Sequence, residues 1–218
     1  MQKSLFFIIS LLFFSCSRES KTPYTLSEKK LINYVNPFIG TGGHGHTYPG
    51  ATMPFGMMQL SPDTRLEGWD GCSGYHYSDA YIYGFSHTHL SGTGVSDYGD
   101  ILLMPTNAIN FHNGADAKKG YRAHFSHKNE EASPGYYRVK LDSTDIEVEL
   151  TVSKRSGIHK YQFPTSNNQI VILDLQHRDK VLDATIEKIS NTQLQGYRFS
   201  DAWAKDQRLY FYIKTSHA

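Results

Sequence analysis

Residues 136–152 have the sequence YYRVKLDSTDIEVELTV, and this stretch decides the predicted fold. From residue 146 onward apolar and polar side chains alternate strictly, so Ile146, Val148, Leu150 and Val152 share one face of a strand. Residues 136–141 alternate in the same way, and a short polar segment joins the two runs. The stretch therefore predicts two strands that each place one face in a core.

Similar short runs continue to the end of the chain, separated by polar turns. They cover residues 158–163, 170–175, 186–190, 194–199 and 209–214. The run at 170–175 is almost continuously apolar, which predicts a strand covered on both faces. No long segment has the 3.6-residue period of an amphipathic helix. We therefore predict an all-β chain that forms an antiparallel β-sandwich.

The first half of the chain is less regular. A kinked strand is predicted at residues 51–60, and short strands are predicted at 82–89 and 101–104. Residues 63–77 have the composition of a loop, and residues 107–134 are polar and are predicted to be irregular.

The segment from residue 68 to residue 105 has an unusual composition. Most of the chain's 18 glycines lie between residues 40 and 99, together with several histidines, tyrosines and aspartates. Between residues 31 and 117, Arg65 is the only lysine or arginine, and the net charge of the whole chain is +1. Nucleic acid requires clustered cations, so it is excluded as a partner. Flat aromatic faces beside His and Asp suit a neutral, hydroxyl-rich ligand such as a sugar.

The N-terminus has the pattern of an export signal. Lys3 precedes an apolar run that is too short to span a bilayer, and the run ends at Ser15-Cys16. We predict a lipoprotein-type signal peptide at residues 1–16, lipidation of Cys16 and a tether at residues 17–30. This would place the protein in a bacterial cell envelope, anchored to a membrane in the periplasm or outer membrane. The alternative is a plain secretory signal. Cys72, the other cysteine, is predicted to be a buried structural thiol.

Two histidine pairs, His44-x-His46 and His87-x-His89, have the spacing of metal ligands on a strand. Together they could form a zinc site, which would favour a zinc-dependent hydrolase. The glycines around the first pair disfavour strand geometry. We therefore interpret these histidines as hydrogen-bonding partners of loop backbone or of ligand hydroxyls, and we predict no metal site.

Trp69 and Asp70 lie in a turn flanked by glycines. An exposed Trp69 could stack on a sugar ring while Asp70 accepts hydrogen bonds from hydroxyls; alternatively Trp69 fills the core. A glycosidase also needs paired carboxylates at defined separations. The candidates are Asp63, Glu67, Asp70, Asp97 and Asp100, but the sequence does not fix their distances.

Several motifs resemble those of glycoside hydrolase family 92. They are YVNPFIGT at residues 34–41, PGATMPFG at 49–56, GYH at 74–76, GFSHTHLSGTG at 84–94, GD at 99–100, GYR at 196–198 and WAKDQ at 203–207. The resemblance implies a calcium-dependent exo-α-mannosidase that acts on mannose-containing glycans with inversion. It also implies an N-terminal β-sandwich followed by an (α/α)6 barrel, with the active site between them.

The resemblance assigns residues 31–218 to the N-terminal sandwich. It places the catalytic acid, the catalytic base and the calcium ligands in the helical domain, which we expect to be missing from a chain truncated at its C-terminus. No catalytic residue is carried over to this chain. The residues implied to shape the sugar pocket are Trp69, Asp70, His76, His87 and His89. A stand-alone carbohydrate-binding module is the alternative function.

Overall fold

The structure is a computed structural model that describes residues 31–116, 118–165 and 168–217. The predicted signal peptide (residues 1–16), tether (17–30) and lipidation site Cys16 lie outside these residues. No helix in the described part of the chain is long and apolar enough to cross a membrane.

The described residues form β-strands joined by loops, with two short 3-10 turns at Leu31–Tyr34 and Trp69–Gly71. The strands are β1 Ala51–Thr52, β2 Gln59–Asp63, β3 Tyr81–Ile82, β4 Gly84–Ser86, β5 Leu102–Thr106, β6 Ala123–Ser133, β7 Tyr136–Leu141, β8 Ile146–Val152, β9 Gly157–Gln162, β10 Ile170–Asp174, β11 Lys180–Ser190, β12 Gln193–Asp201 and β13 Gln207–Lys214.

Two five-stranded antiparallel sheets form a sandwich, which confirms the predicted fold class. Their strand orders are β1-β2-β4-β5-β10 and β3-β6-β7-β8-β9. The first sheet sends Leu60, Phe85 and Met104 into the core, where they meet residues of the second sheet such as Val139 and Val148. Because β7 and β8 alternate, each buries one face and exposes the other.

The strand at β6 was not predicted, because its sequence AHFSHKNEEAS is mostly polar. A register shift in its pairing with β7 turns Glu130 toward the interior, where its side chain is fully buried. The hydroxyl of Tyr137 donates to this carboxylate at 2.6 Å and that of Tyr75 at 3.0 Å. The prediction of an irregular segment was therefore wrong, since hydrogen bonds allow a polar strand to enter the core.

Two further expectations about the strands need correction. The run at β10 is not covered on both faces, because it lies at the edge of its sheet and Val171 is 44% exposed. The last three predicted strands do not extend the sandwich. Instead, β11, β12 and β13 form a separate antiparallel sheet.

Arg198 of β12 attaches this third sheet to the sandwich. It is only 1% exposed, and its guanidinium donates to the carboxylate of Asp100 and to the carbonyls of Leu175 and Arg178. Gln207 at the start of β13 donates to the same carboxylate at 2.8 Å. The third sheet is thus held by buried, charge-assisted hydrogen bonds.

Candidate functional site

The region around Trp69 is formed where three loops meet. The loop at residues 40–50 folds tightly on itself, since a Cβ at Gly45 would lie 2.1 Å from the carbonyl oxygen of Gly40. The backbone amide of Gly92, from a second loop, donates to the carbonyl of His46 at 2.7 Å. The turn that carries Trp69 completes the region. We call the surface formed by His44, His46, Trp69, Asp70 and Gly94 the Trp69 surface.

The indole of Trp69 lies on the outside of the protein. It is 64% exposed, which excludes the alternative that it fills the core. Its ring meets the ring of His46 edge-on, with 5.1 Å between centroids. On another side it lies against Gly94, where a Cβ would come within 2.2 Å of the indole. The indole is therefore supported by two neighbours and presents a flat apolar surface to solvent.

Asp70 lies beside this ring and contacts both histidines of the first predicted pair. Its Oδ1 is 2.7 Å from Nδ1 of His44 and 3.3 Å from Nε2 of His46. The hydrogen bond with His44, followed by that with His46, lowers the pKa of the Asp70 carboxyl, so the group is ionised at neutral pH. Among the described residues, Oδ2 of Asp70 has no hydrogen-bonding partner, and this oxygen is available to a ligand.

His76 belongs to the support of this surface. Its Nε2 lies 3.1 Å from the carbonyl of Gly43 and its Nδ1 lies 2.8 Å from the hydroxyl of Ser78. Both ring nitrogens are engaged and the residue is buried. His76 therefore holds the loop that presents His44 and His46.

His87 and His89 point away from the Trp69 surface, so the two histidine pairs do not join. Nε2 of His87 lies 2.9 Å from Nε2 of His159, and its Nδ1 contacts the carbonyl of Ile101. His89 is buried between the carbonyl of Gln59 and the carboxylate of Asp63. A zinc site shared by the two pairs is therefore not formed.

The candidate carboxylates separate into structural and accessible groups. Asp63 and Asp100 are fully buried, and Asp97 accepts from the backbone amides of Tyr98 and Ala204. Burial alone would raise the pKa of Asp63, but the neighbouring His89 and His177 lower it overall. These three groups hold the fold together. Glu67 and Asp70 remain accessible.

The structure also shows a cleft that the sequence did not indicate. Its volume is about 650 Å³, and Gly68, His177, Arg178 and Asp179 are among the residues that line it. Within the described residues neither ring nitrogen of His177 makes a hydrogen bond, although Nε2 lies 3.5 Å from Oδ2 of Asp63. The available signal was the sequence His177-Arg178-Asp179, which follows the end of β10 after an interval of two residues, but no local pattern showed that His177 and Arg178 are buried.

Comparison with known proteins identifies the family. The sequence profile of the glycosyl hydrolase family 92 N-terminal domain matches residues 34–218. The chain belongs to this family.

Family 92 members are also similar in structure. A family 92 α-mannosidase from Bacteroides thetaiotaomicron, solved in complex with mannoimidazole, is 38% identical with a TM-score of 0.79, over 84% of this chain and 25% of that one. A family 92 inverting mannosidase from the same species is 26% identical with a TM-score of 0.68, over 83% of this chain and 24% of that one.

A protein described as an uncharacterized secreted glycosidase, from the fungus Arthroderma benhamiae, is 29% identical over 162 residues. The match covers 68% of this chain and 20% of that protein. The family 92 chain described here therefore spans about a quarter or less of the length of the relatives it matches.

Calcium, on which the family depends, does not fit the group of His, Cys, Asp and Glu side chains that lie close together in the described residues. Calcium takes six to eight oxygen ligands. In residues 31–116, 118–165 and 168–217, the side chains grouped closely enough to hold a metal ion are His44, His46 and Asp70. This set offers two imidazole nitrogens and one carboxylate, so no step is assigned to calcium in this chain.

Proposed function

We propose that this chain is the N-terminal sandwich of an α-mannosidase-like glycoside hydrolase and that the Trp69 surface forms one wall of its sugar pocket. The observation that carries the proposal is the exposed indole of Trp69 beside the ionised carboxylate of Asp70, whose Oδ2 accepts no hydrogen bond from any described residue. Family membership supports the mannoside class, since structurally similar members are α-mannosidases.

The two residues would have complementary roles. The indole of Trp69 stacks on the apolar face of a mannose ring, while Oδ2 of Asp70 accepts a hydrogen bond from a ring hydroxyl. Stacking of this kind contributes on the order of 1 kcal/mol beyond buried area. Of the five residues that the resemblance implied, we propose sugar contacts for these two alone. The other three, His76, His87 and His89, have both ring nitrogens engaged within the protein.

In this proposal the chemical step is assigned to the helical domain of the family. An inverting glycosidase holds its acid and base about 6.5–9.5 Å apart with a water between them. The family resemblance implies that a helical domain supplies both groups and the calcium ion. The sandwich would close the pocket and select the sugar, and the chain alone is expected to release no mannose from an α-mannoside, with or without calcium.

The test compares the two tryptophans of the chain, which are both exposed. Trp69→Ala is expected to weaken binding of methyl α-mannoside about fivefold, corresponding to about 1 kcal/mol. Trp203→Ala is the matched control, since Trp203 is 71% exposed on a different loop. Saturation-transfer NMR on the full chain measures both affinities.

Equal binding by the Trp69→Ala variant and the unchanged chain would contradict the proposal, as would the absence of saturation transfer to the unchanged chain. A loss of about 3–5 kcal/mol in the free energy of unfolding on Trp69→Ala would instead assign the indole a structural role. Thermal unfolding of each variant distinguishes these cases.

We also propose that the protein is exported and anchored to a bacterial envelope membrane through lipidated Cys16. The apolar run that ends at Ser15-Cys16 supports this, and a relative described as secreted supports export. In fractionated cells the unchanged protein is expected in the membrane fraction and the Cys16→Ala variant outside it. An unchanged protein found in the soluble periplasm would refute the anchor.

A further inference from the structure

We propose that His44, His46 and Asp70 form a site for one transition-metal ion such as Zn²⁺, Ni²⁺ or Cu²⁺. The site differs from the family's calcium requirement, because imidazole nitrogens favour these ions whereas calcium requires oxygen. It also differs from the shared site that the sequence suggested, since it combines one histidine pair with Asp70 and does not involve His87 or His89.

The distances fit a tetrahedral ion. One ring nitrogen of His44, one ring nitrogen of His46 and a carboxylate oxygen of Asp70 all lie within 4.8 Å of one another. Bonds of about 2.0–2.1 Å at tetrahedral angles place neighbouring ligand atoms about 3.3 Å apart. The separation between His46 and Asp70 is 3.3 Å already, and that between His44 and Asp70 is 2.7 Å. The separation between His44 and Asp70 has to lengthen by about 0.6 Å, and the side chain of His44 is 80% exposed and free to turn.

The protein holds the other two ligands in place before an ion arrives. The side chain of His46 is only 7% exposed, and its backbone carbonyl is fixed by the amide of Gly92. The ring of His76 anchors the carbonyl of Gly43, next to His44. Little ordering is therefore required on binding, and the exposed side of the site leaves room for a water molecule or a ligand hydroxyl as a further ligand.

Trp69 provides a direct signal of binding, because its ring lies 5.1 Å from that of His46. The chain contains two tryptophans, so Trp203→Phe leaves Trp69 as the single indole. Cys16→Ser removes a competing thiol ligand. Both changes are made in every protein that is compared.

The experiment is a fluorescence titration of the full chain with Ni²⁺ at neutral pH. Saturable quenching with one ion per chain is expected, and excess Zn²⁺ should restore the fluorescence. Ca²⁺ at the same concentration should have no effect. His44→Ala is expected to weaken Ni²⁺ binding at least tenfold. The matched control is His124→Ala, which removes an exposed histidine that pairs, within the described part of the chain, with a single carboxylate, Asp142 at 3.2 Å.

Absence of quenching overturns the proposal, as does equal quenching of the His44→Ala variant and its parent. Equal weakening by His44→Ala and His124→Ala also overturns it, since binding would then be distributed over surface histidines. The result is independent of the proposed sugar pocket, which is tested by mannoside binding without added transition metal.

Discussion

Replacing Arg198 with methionine is expected to lower the free energy of unfolding by about 3–5 kcal/mol. The guanidinium is buried and donates to one carboxylate and two backbone carbonyls. Methionine fills much of the space but leaves the buried charge of Asp100 without its cation, and breaking a buried ion pair from one side carries a penalty of this size. Because a domain is stabilised by about 5–15 kcal/mol in total, the loss is a large fraction of its stability.

Urea unfolding of the full chain, followed by circular dichroism, measures this effect. Arg138→Met is the matched control, because Arg138 pairs with Glu147 on the surface, where such a pair contributes under about 1 kcal/mol. Adding Asp100→Asn to Arg198→Met should recover part of the loss by removing the unpaired charge. A loss below about 1 kcal/mol for Arg198→Met, or a double variant as unstable as the sum of its single changes, would refute the reasoning.

Three further predictions concern the interior. Burial lowers the pKa of His87 to about 4. The neutral ring therefore contributes at most about 3 kcal/mol to the free energy of unfolding, and this contribution is complete above pH 6.5 and is lost as the pH falls toward 4. The free energy of unfolding should accordingly be lower at pH 4.5 than at pH 7.5, and His159→Gln, which removes the ring that contacts His87, should reduce the difference. Glu130→Ala should cost about 3 kcal/mol in urea unfolding, because it leaves two buried tyrosine hydroxyls without an acceptor. Gly74→Ala should cost about 2 kcal/mol in the same assay, because residue 74 has φ +82° and the new Cβ would lie 2.3 Å from a carboxylate oxygen of Asp63; unchanged stability would contradict the geometry.

The sequence predicted those parts of the fold that depend on local pattern. The alternation at β7 and β8 gave both the strands and their buried faces, because a half-buried strand must alternate. The strand at β6 was missed because Glu130 is satisfied by hydroxyls from distant residues, and no local pattern reports such partners. The arrangement of β11–β13 as a separate sheet was missed for a related reason. The contact that holds this sheet joins Arg198 to Asp100, which lie 98 positions apart in the sequence, and no local pattern reports such a contact.

In the candidate site, too, local sequence patterns predicted some features, whereas contacts between distant residues could not be predicted. The turn flanked by glycines drew attention to Trp69 and Asp70, although exposure of the indole could not be decided until the fold was known. The approach of His44 to Asp70 spans 26 positions and depends on the path of two loops, so spacing within the histidine pairs could not predict it. The spacing instead suggested that the pairs His44/His46 and His87/His89 could share a metal ion, but the structure places the two pairs apart.

The size of residue 94 controls the position of the Trp69 indole, because the ring lies directly against Gly94. Its φ lies outside the positive region reserved for glycine, so the backbone would accept other residues there. The three atoms nearest to a hypothetical Cβ all belong to the indole of Trp69, the first at 2.2 Å, and this contact is what favours glycine. Because that indole is exposed, a methyl group at residue 94 would displace the ring outward without unfolding the chain. Related sequences could therefore differ in the depth of this surface while Trp69 and Asp70 stay the same, and a comparison of the two proposed contact residues alone would overlook the difference.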